Sequence, residues 1–202
     1  LIMNTNEFWL KKSKLIFWDK EPSFSFKKKN NNYVDWYPDG NVNAYYNCVT
    51  KNIESGLGDK IAIHTINIAK KFDKYTYNDL DNKVKYFCKV LESKLKNKDL
   101  SKCKILIYSS ASIESAVSML SCAKLGIHFA VLFEDLASEA VKKRIELLKP
   151  NIFISRVKKK IFHKKIFLNK NTLSKIDFIF FENINHQNKN DKTSVLKDKY
   201  FK

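Results

Sequence analysis

Glycine and proline are scarce in this chain, with only four and three residues among 202. Folds built from many short strands need frequent turn residues, so this shortage argues against an all-β protein. It also argues against the glycine-rich loops that bind phosphate groups at helix starts. Apolar residues make up 44% of the chain and aromatic residues 13%, which excludes a disordered or low-complexity protein.

Arginine is also scarce. Lysine and arginine together number 38 against 21 acidic residues, a net charge of +17, yet Arg144 and Arg156 are the only arginines. Proteins that recognise nucleic acid usually depend on arginine, whose planar fork matches phosphates and base edges. We therefore interpret most of the charge as lysine on solvated faces. A basic module that binds nucleic acid or an anionic surface is the alternative from a different functional class.

None of the four cysteines stands in a Cys-x-x-Cys pair; they are Cys48, Cys88, Cys103 and Cys122. Most of them fall in apolar periodic positions, which predicts buried, reduced thiols in a cytoplasmic protein. A four-cysteine zinc site is the alternative. No uncharged apolar run reaches the roughly 18 residues of a membrane span, so none is predicted. The chain begins with Leu1, which leaves open a fragment of a longer chain or a start at Met3.

Two helices are predicted in the first half of the chain. The first follows the turn signal of residues 38–40, and Gly56 and Gly58 end it. A strand is predicted next, at residues 60–64. Thr76 and Asp79 then form the pattern of a capping box. The helix behind this box carries one apolar stripe, which consists of Leu80, Val84, Phe87, Cys88, Leu91 and Leu95.

Three strands and two helices alternate in the following part, with the strands predicted at residues 105–108, 127–133 and 151–155. Ser112 is predicted to cap the first helix, which ends at Gly126, and Ser138 the second. This alternation indicates a βαβαβ parallel sheet with right-handed crossovers, so the predicted fold class is α/β. His128, on the second strand, is expected to be a buried core histidine and not a catalytic base.

The two ends of the chain differ from this middle part. Residues 1–35 form a polar lead-in dotted with aromatic residues, and the lysine and asparagine run at 27–32 predicts a solvated loop. Residues 156–202 form a basic tail. Two apolar patches within the tail, at 161–168 and 176–181, each fit a strand.

Several blocks of the sequence stand in an order and spacing typical of one enzyme family. They are Trp36-Tyr37-Pro38-Asp39-Gly40-Asn41 with Tyr46-Asn47, Gly56-Leu57-Gly58-Asp59, Tyr75-Thr76-Tyr77, and Cys122-Ala123-Lys124-Leu125-Gly126 with His128 and Phe133. With these blocks the chain resembles the acyl-CoA synthetases of the acetyl-CoA and propionyl-CoA synthetase group, among the AMP-forming adenylating enzymes. The resemblance covers about residues 5–155.

The resemblance implies a division of the chain. Residues 1–35 correspond to the N-terminal lead-in of such a synthetase. Residues 36–155 correspond to a partial AMP-binding domain, the βαβαβ portion of the large N-terminal α/β domain of an adenylate-forming enzyme. Residues 156–202 are a divergent basic tail that the resemblance does not reach.

The resemblance also implies an activity for the parent enzyme. A carboxylate such as acetate or propionate attacks ATP, with magnesium, to give an acyl-adenylate and pyrophosphate, and the CoA thiolate then displaces AMP. The family's loop ending in Pro-Lys-Gly and its catalytic lysine have no counterpart in these 202 residues. We therefore expect the chain alone to be inactive and to hold none of ATP, Mg or CoA as a cofactor.

One departure from the family pattern concerns CoA. Where relatives have a Phe-Gly-Gly-Phe loop close to the CoA nucleotide, this chain has Phe133-Glu134-Asp135-Leu136. The resemblance assigns Phe133, Glu134 and Asp135 as the cofactor-binding candidates, and it assigns no catalytic or metal-binding residue. Two carboxylates would repel CoA phosphates by about 1 kcal/mol or more per charge pair at an effective dielectric of about 20.

These observations leave two interpretations within the family. The chain is an N-terminal fragment or truncated relative of an ATP-dependent acetate or propionate CoA ligase, with CoA as a partner of the parent. Alternatively, it is a non-catalytic, degenerate homologue that acts as a structural module or pairs with a full-length synthetase subunit. Nucleic acid is the partner that the sequence favours least.

Overall fold

The computed structural model describes residues 5–30, 33–66, 72–156 and 174–181. It begins with helix α1, Thr5–Ser13, and a hairpin of strand β1, Phe26–Asn30, with strand β2, Tyr33–Trp36. Strand β1 contains the lysine run, so the solvated loop predicted at 27–32 is wrong for residues 27–30. The lysine side chains still lie exposed, because backbone pairing with β2 does not require their burial.

Aromatic side chains join this hairpin to α1. The ring of Trp36 lies 5.3 Å from that of Trp9 and 5.7 Å from that of Phe26, measured between centroids. The turn after Trp36 needs a glycine, since a Cβ at Gly40 would lie 2.8 Å from a ring carbon of Trp18. The Trp-Tyr-Pro-Asp-Gly block therefore has a structural role, the packing of the N-terminal segment.

The predicted helix after this turn is confirmed, although its turns are wider than those of an α-helix. It contains two π-helical segments, Tyr46–Thr50 and Ile53–Leu57. Gly56 has a φ angle of 79°, a left-handed conformation that glycine adopts without strain. The helix thus ends where the sequence predicts.

A second hairpin precedes the capping box. Strand β3, Ile61–Ile66, pairs antiparallel with strand β4, Phe72–Thr76. The sequence predicts a strand at the position of β3 but none at the position of β4. The capping box is confirmed: the Thr76 hydroxyl accepts a hydrogen bond from the Asp79 N–H, and the Asp79 carboxylate accepts one from the Thr76 N–H. It starts helix α2, Tyr77–Lys94.

The predicted alternation of three strands and two helices is confirmed. It contains strand β5 (Lys104–Tyr108), helix α3 (Ile113–Leu125), strand β6 (His128–Leu132), helix α4 (Ser138–Leu148) and strand β7 (Ile152–Ser155). Strand β8, Asp177–Phe180, extends the sheet beyond residue 155. All neighbours are parallel, and the strand order is β6-β5-β7-β8. The patch predicted as a strand at 161–168 lies outside the described residues.

Apolar layers cover both faces of this sheet. Ile105 and Ile107 of β5 face a core shared with α2 and α3, whereas Leu106 and Tyr108 face a second core shared with α4. Small residues let α2 and α3 approach closely. The Ser121 hydroxyl on α3, for example, donates a 3.3 Å hydrogen bond to the Val84 carbonyl on α2.

Two details of the α/β unit differ from the prediction. Ser138 does not cap α4, because the residue in the capping position is Ala137, which offers no side-chain hydrogen bond. His128 is exposed and not part of the core. The reason is topological: among the strands that the structure describes, β6 is the last one on its side of the sheet, and its first residue is open to solvent.

A buried carboxylate joins the π-helical segment to α2. Asp81 is only 8% exposed. Its carboxylate accepts a hydrogen bond from the Tyr45 hydroxyl and forms an ion pair with the ammonium group of Lys85 at 2.7 Å. The ammonium group of Lys124 lies 4.1 Å from the centroid of the Tyr45 ring. Burial, and then the hydrogen bond to Asp81, raise the pKa of Tyr45, so its phenol stays a donor.

Replacement of Tyr45 tests the importance of this contact. We expect Tyr45→Phe to lower the free energy of unfolding by about 1–3 kcal/mol, because it removes a donor from a buried carboxylate. The matched control is Tyr46→Phe, whose hydroxyl bonds the carboxylate of Glu54 at the surface. Urea unfolding measures both. Equal losses in the two variants would contradict the account.

Candidate functional site

The candidate site lies at the carboxyl edge of the parallel sheet. Open α/β sheets bind ligands outside the carboxyl ends of their strands, at the point where the strand order reverses. Here the chain moves from β5 to β6 on one side and returns to β7 on the other, so this point lies between β5 and β7. The residues that follow these strands are Ser109 and Ser110 after β5, Phe133–Asp135 after β6 and Arg156 after β7.

Hydrogen bonds tie the loops after β5 and β6 together. The Ser109 N–H donates to the Leu132 carbonyl at 2.9 Å, and the Tyr108 hydroxyl donates to the Glu134 carbonyl at 2.8 Å. The Ser110 hydroxyl donates a longer bond, 3.4 Å, to one carboxylate oxygen of Glu134. The loop after β6 is therefore held against the end of β5.

The structure places the three predicted site residues in one tight turn, closed by a 3.2 Å bond from the Leu136 N–H to the Phe133 carbonyl. Phe133 is 65% exposed and Asp135 is exposed. Glu134 is half-buried, and its Oε1 atom is buried without a hydrogen-bond partner among the described residues. Their assignment to CoA stays a prediction.

Acidic side chains dominate this edge, although the whole chain is strongly basic. Glu114 and Glu139 lie in the first turns of α3 and α4, the helices that follow β5 and β6, and Glu134 and Asp135 lie in the loop after β6. Burial raises the pKa of Tyr108, and the charges of Glu134 and Asp135 raise it further. The loop after β6 therefore presents two carboxylates at this edge of the sheet.

Sequence reasoning did not identify two residues of this site, Tyr108 and Ser110. Tyr108 ends a buried strand, and its hydroxyl fixes the loop through a backbone carbonyl that any residue would supply. A polar tip at the end of an apolar strand is the signal that could have indicated such an anchor. Ser110 carries no comparable signal.

Three further observations concern metals, membranes and cavities. Among the residues that the structure describes, no group of three or more His, Cys, Asp or Glu side chains is arranged to hold a metal ion. In the same part of the chain, no helix is long and apolar enough to cross a bilayer. A groove of about 370 Å³ lies against α1 and is lined by residues that include Leu10, Lys11, Trp18 and Pro22, but by none of the predicted site residues.

Comparison with protein families decides the membership of the chain. The family model described as AMP-binding enzyme matches residues 52–198. The chain belongs to the AMP-binding enzyme family. A second model, described as acetyl-coenzyme A synthetase N-terminus, matches residues 1–48. The two models follow one another along the chain, and the Tyr45–Asp81 contact joins the regions that they match.

Individual relatives agree with this result. Acetyl-coenzyme A synthetase of Streptomyces coelicolor is 32% identical over 140 residues, 69% of this chain and 21% of that protein. The enzyme of the same name from Cupriavidus metallidurans is 30% identical over 140 residues, 68% of this chain and 21% of that protein. The mitochondrial acyl-CoA synthetase short-chain family member 3 of Pongo abelii is 28% identical over 156 residues, 76% of this chain and 22% of that protein.

A solved structure supports the fold. The crystal structure of CmiS6 matches 66% of this chain and 29% of its own, with a TM-score of 0.54 at 15% sequence identity. The chain spans about a fifth of the length of the curated relatives that it matches.

The four cysteines allow a simple test of the burial that the structure describes. The predicted burial is wrong for Cys48, which is exposed although it falls in an apolar periodic position. Cys88, Cys103 and Cys122 are buried, and burial raises the pKa of Cys122 to about 12. The rate of alkylation depends on how much of the thiol is ionised and on how exposed it is. We expect iodoacetamide at about pH 8 to modify one thiol of the native chain rapidly and the other three only after unfolding. Rapid modification of a second thiol, read by mass spectrometry, would contradict the described burial.

Proposed function

We propose that this chain is the N-terminal scaffold of an AMP-forming acid–CoA ligase that acts on a short carboxylate such as acetate or propionate. The observation that carries the proposal is the succession of two matched regions, an acetyl-coenzyme A synthetase N-terminus followed by the start of an AMP-binding enzyme. The four cysteines are free thiols, three of them buried, and this supports a cytoplasmic location for it.

The parent reaction has two steps. A carboxylate oxygen attacks the α-phosphorus of ATP, pyrophosphate leaves, and an acyl-adenylate forms. The sulfur of CoA then attacks the acyl carbon, its thiol proton is lost and AMP leaves. Preorganised donors and a magnesium ion must stabilise the charge that develops in the first step. The edge of the sheet described here offers carboxylates instead, so we assign no step of this chemistry to it.

The residues of the loop after β6 also fit CoA poorly. The CoA nucleotide carries several phosphate charges, whereas this loop presents the carboxylates of Glu134 and Asp135. The bond from Tyr108 holds the backbone of that loop in place, and a rotation of the Glu134 carboxylate away from the site would break its bond from Ser110. This misfit favours a second candidate function, a non-catalytic homologue that pairs with a full-length synthetase subunit.

Removal of the two charges tests the assignment of the loop. We expect the native chain to give no measurable heat with CoA in titration calorimetry. Glu134→Gln combined with Asp135→Asn removes two repulsive charge pairs of about 1 kcal/mol or more each, a gain of roughly thirtyfold, and should make CoA binding measurable.

The matched control has the same net charge as the loop variant, but its two substitutions lie away from the loop. Glu92→Gln combined with Glu146→Gln removes two exposed carboxylates from α2 and α4. An equal gain in this control would mean that total charge, and not the loop, governs CoA binding. Tight CoA binding by the native chain would contradict the misfit.

The genomic sequence beyond the codon for Lys202 separates the two candidate functions. A ligase requires an in-frame continuation that encodes a Ser/Thr/Gly-rich loop ending in Pro-Lys-Gly. A stop codon with no such loop downstream would refute the ligase and leave the non-catalytic homologue.

A further inference from the structure

The edge strand β6 lacks the features that usually keep a strand edge from pairing. Edge strands present unpaired backbone groups, and natural proteins protect them with lysine, proline or a bulge. The hairpins of this chain follow that rule: β1 carries three lysines and a bulge after Lys28, and the β3–β4 pair carries Lys74 and a bulge near Ile61. The five residues of β6, His-Phe-Ala-Val-Leu, contain none of the 36 lysines and no proline, and their register with β5 is unbroken.

The outward backbone groups of β6 belong to Phe129 and Val131. The Leu132 carbonyl accepts a bond from the Ser109 N–H at the end of β5, so the backbone groups of Leu132 point towards β5. Residues two apart in a strand point their backbone groups the same way, so those of Ala130 do as well. Phe129 and Val131 therefore direct their N–H and C=O groups to the open edge. Phe129 also leaves 39% of its surface exposed.

This arrangement is self-complementary. A two-fold axis through Ala130 would place Phe129 of one copy opposite Val131 of the other, and each such pair would exchange two N–H···O=C bonds. The two side chains would also meet on one face, as an aromatic and a β-branched neighbour. Ala130, too small to obstruct the approach, would face its own counterpart across the axis.

The charges around β6 favour the same orientation. Lys104 pairs with His128 at the start of the strand. Glu134 and Asp135 follow its end. Antiparallel pairing would bring the acidic end of each strand beside the basic start of the other, which offsets locally the repulsion between two chains of charge +17.

The opposite edge of the sheet offers a weaker case. Strand β8 begins with Asp177, and the chain on both sides of residues 174–181 lies outside the described part.

We propose that a second copy of this chain docks on β6, so that two four-stranded sheets join across a two-fold axis into one eight-stranded sheet.

Sedimentation velocity of the 202-residue chain at physiological ionic strength, where long-range repulsion is screened, tests the docking. We expect a concentration-dependent monomer–dimer equilibrium. Phe129→Lys places a charge at the paired edge and should raise the dissociation constant at least about tenfold, equivalent to about 1.4 kcal/mol. The matched control is Leu147→Lys, at a side chain of α4 that is 73% exposed, and it should leave the dissociation constant unchanged.

A cross-link reports the register without relying on a destabilising charge. In a Cys48→Ser background, Ala130→Cys should give a covalent dimer under mild oxidation, because facing residues of a non-hydrogen-bonded antiparallel pair have Cα atoms about 4.5 Å apart, within disulfide range. Leu147→Cys in the same background should not. A chain that stays monomeric, a dimer that survives Phe129→Lys, or the absence of a selective cross-link at Ala130 would each overturn the proposal.

Discussion

The parallel pairing of β5 with both β6 and β7 is the constraint on which the rest of the structure depends. β5 forms hydrogen bonds on both sides, and its residues from Ile105 to Tyr108 are buried on both faces. Parallel neighbours need crossover connections, and right-handed crossovers that leave in opposite directions must use opposite faces. This places α3 on one face of the sheet and α4 on the other.

The same constraint determines where the candidate site lies. Because β5 and β6 are parallel neighbours, the loops that follow them meet at the carboxyl edge, where Tyr108 holds the backbone of Glu134. In other α/β proteins helix N-termini make this edge favourable for anions. Here Glu114, Glu134, Asp135 and Glu139 occupy it. The chain therefore keeps the α/β scaffold of an adenylate-forming enzyme, with acidic residues in the loop and helix starts at this edge.

The α/β unit could be predicted from the sequence because its signals are local and agree with one another. Ser112 and Gly126 mark the ends of α3, and both have the capping roles that their residue types favour. The capping box at Thr76 succeeds for the same reason. The candidate residues Phe133, Glu134 and Asp135 could be placed in one loop from the family pattern, but the pattern does not show that Tyr108 anchors that loop.

The errors have physical causes. The exposed strand β1, with three successive lysines, lacks the apolar alternation that indicates a half-buried strand. His128 was misassigned because strand order is a non-local property, and only the sheet shows that β6 is an edge. Ala137 shows that tertiary packing can start a helix without a capping side chain.

The central claim is that these residues build the scaffold of a synthetase without its chemistry. Acetate- or propionate-dependent exchange of labelled pyrophosphate into ATP, measured on the purified and folded chain, tests it most directly. The account predicts no exchange above that of a carboxylate-free blank. Exchange that depends on the carboxylate and survives repurification of the chain would contradict it.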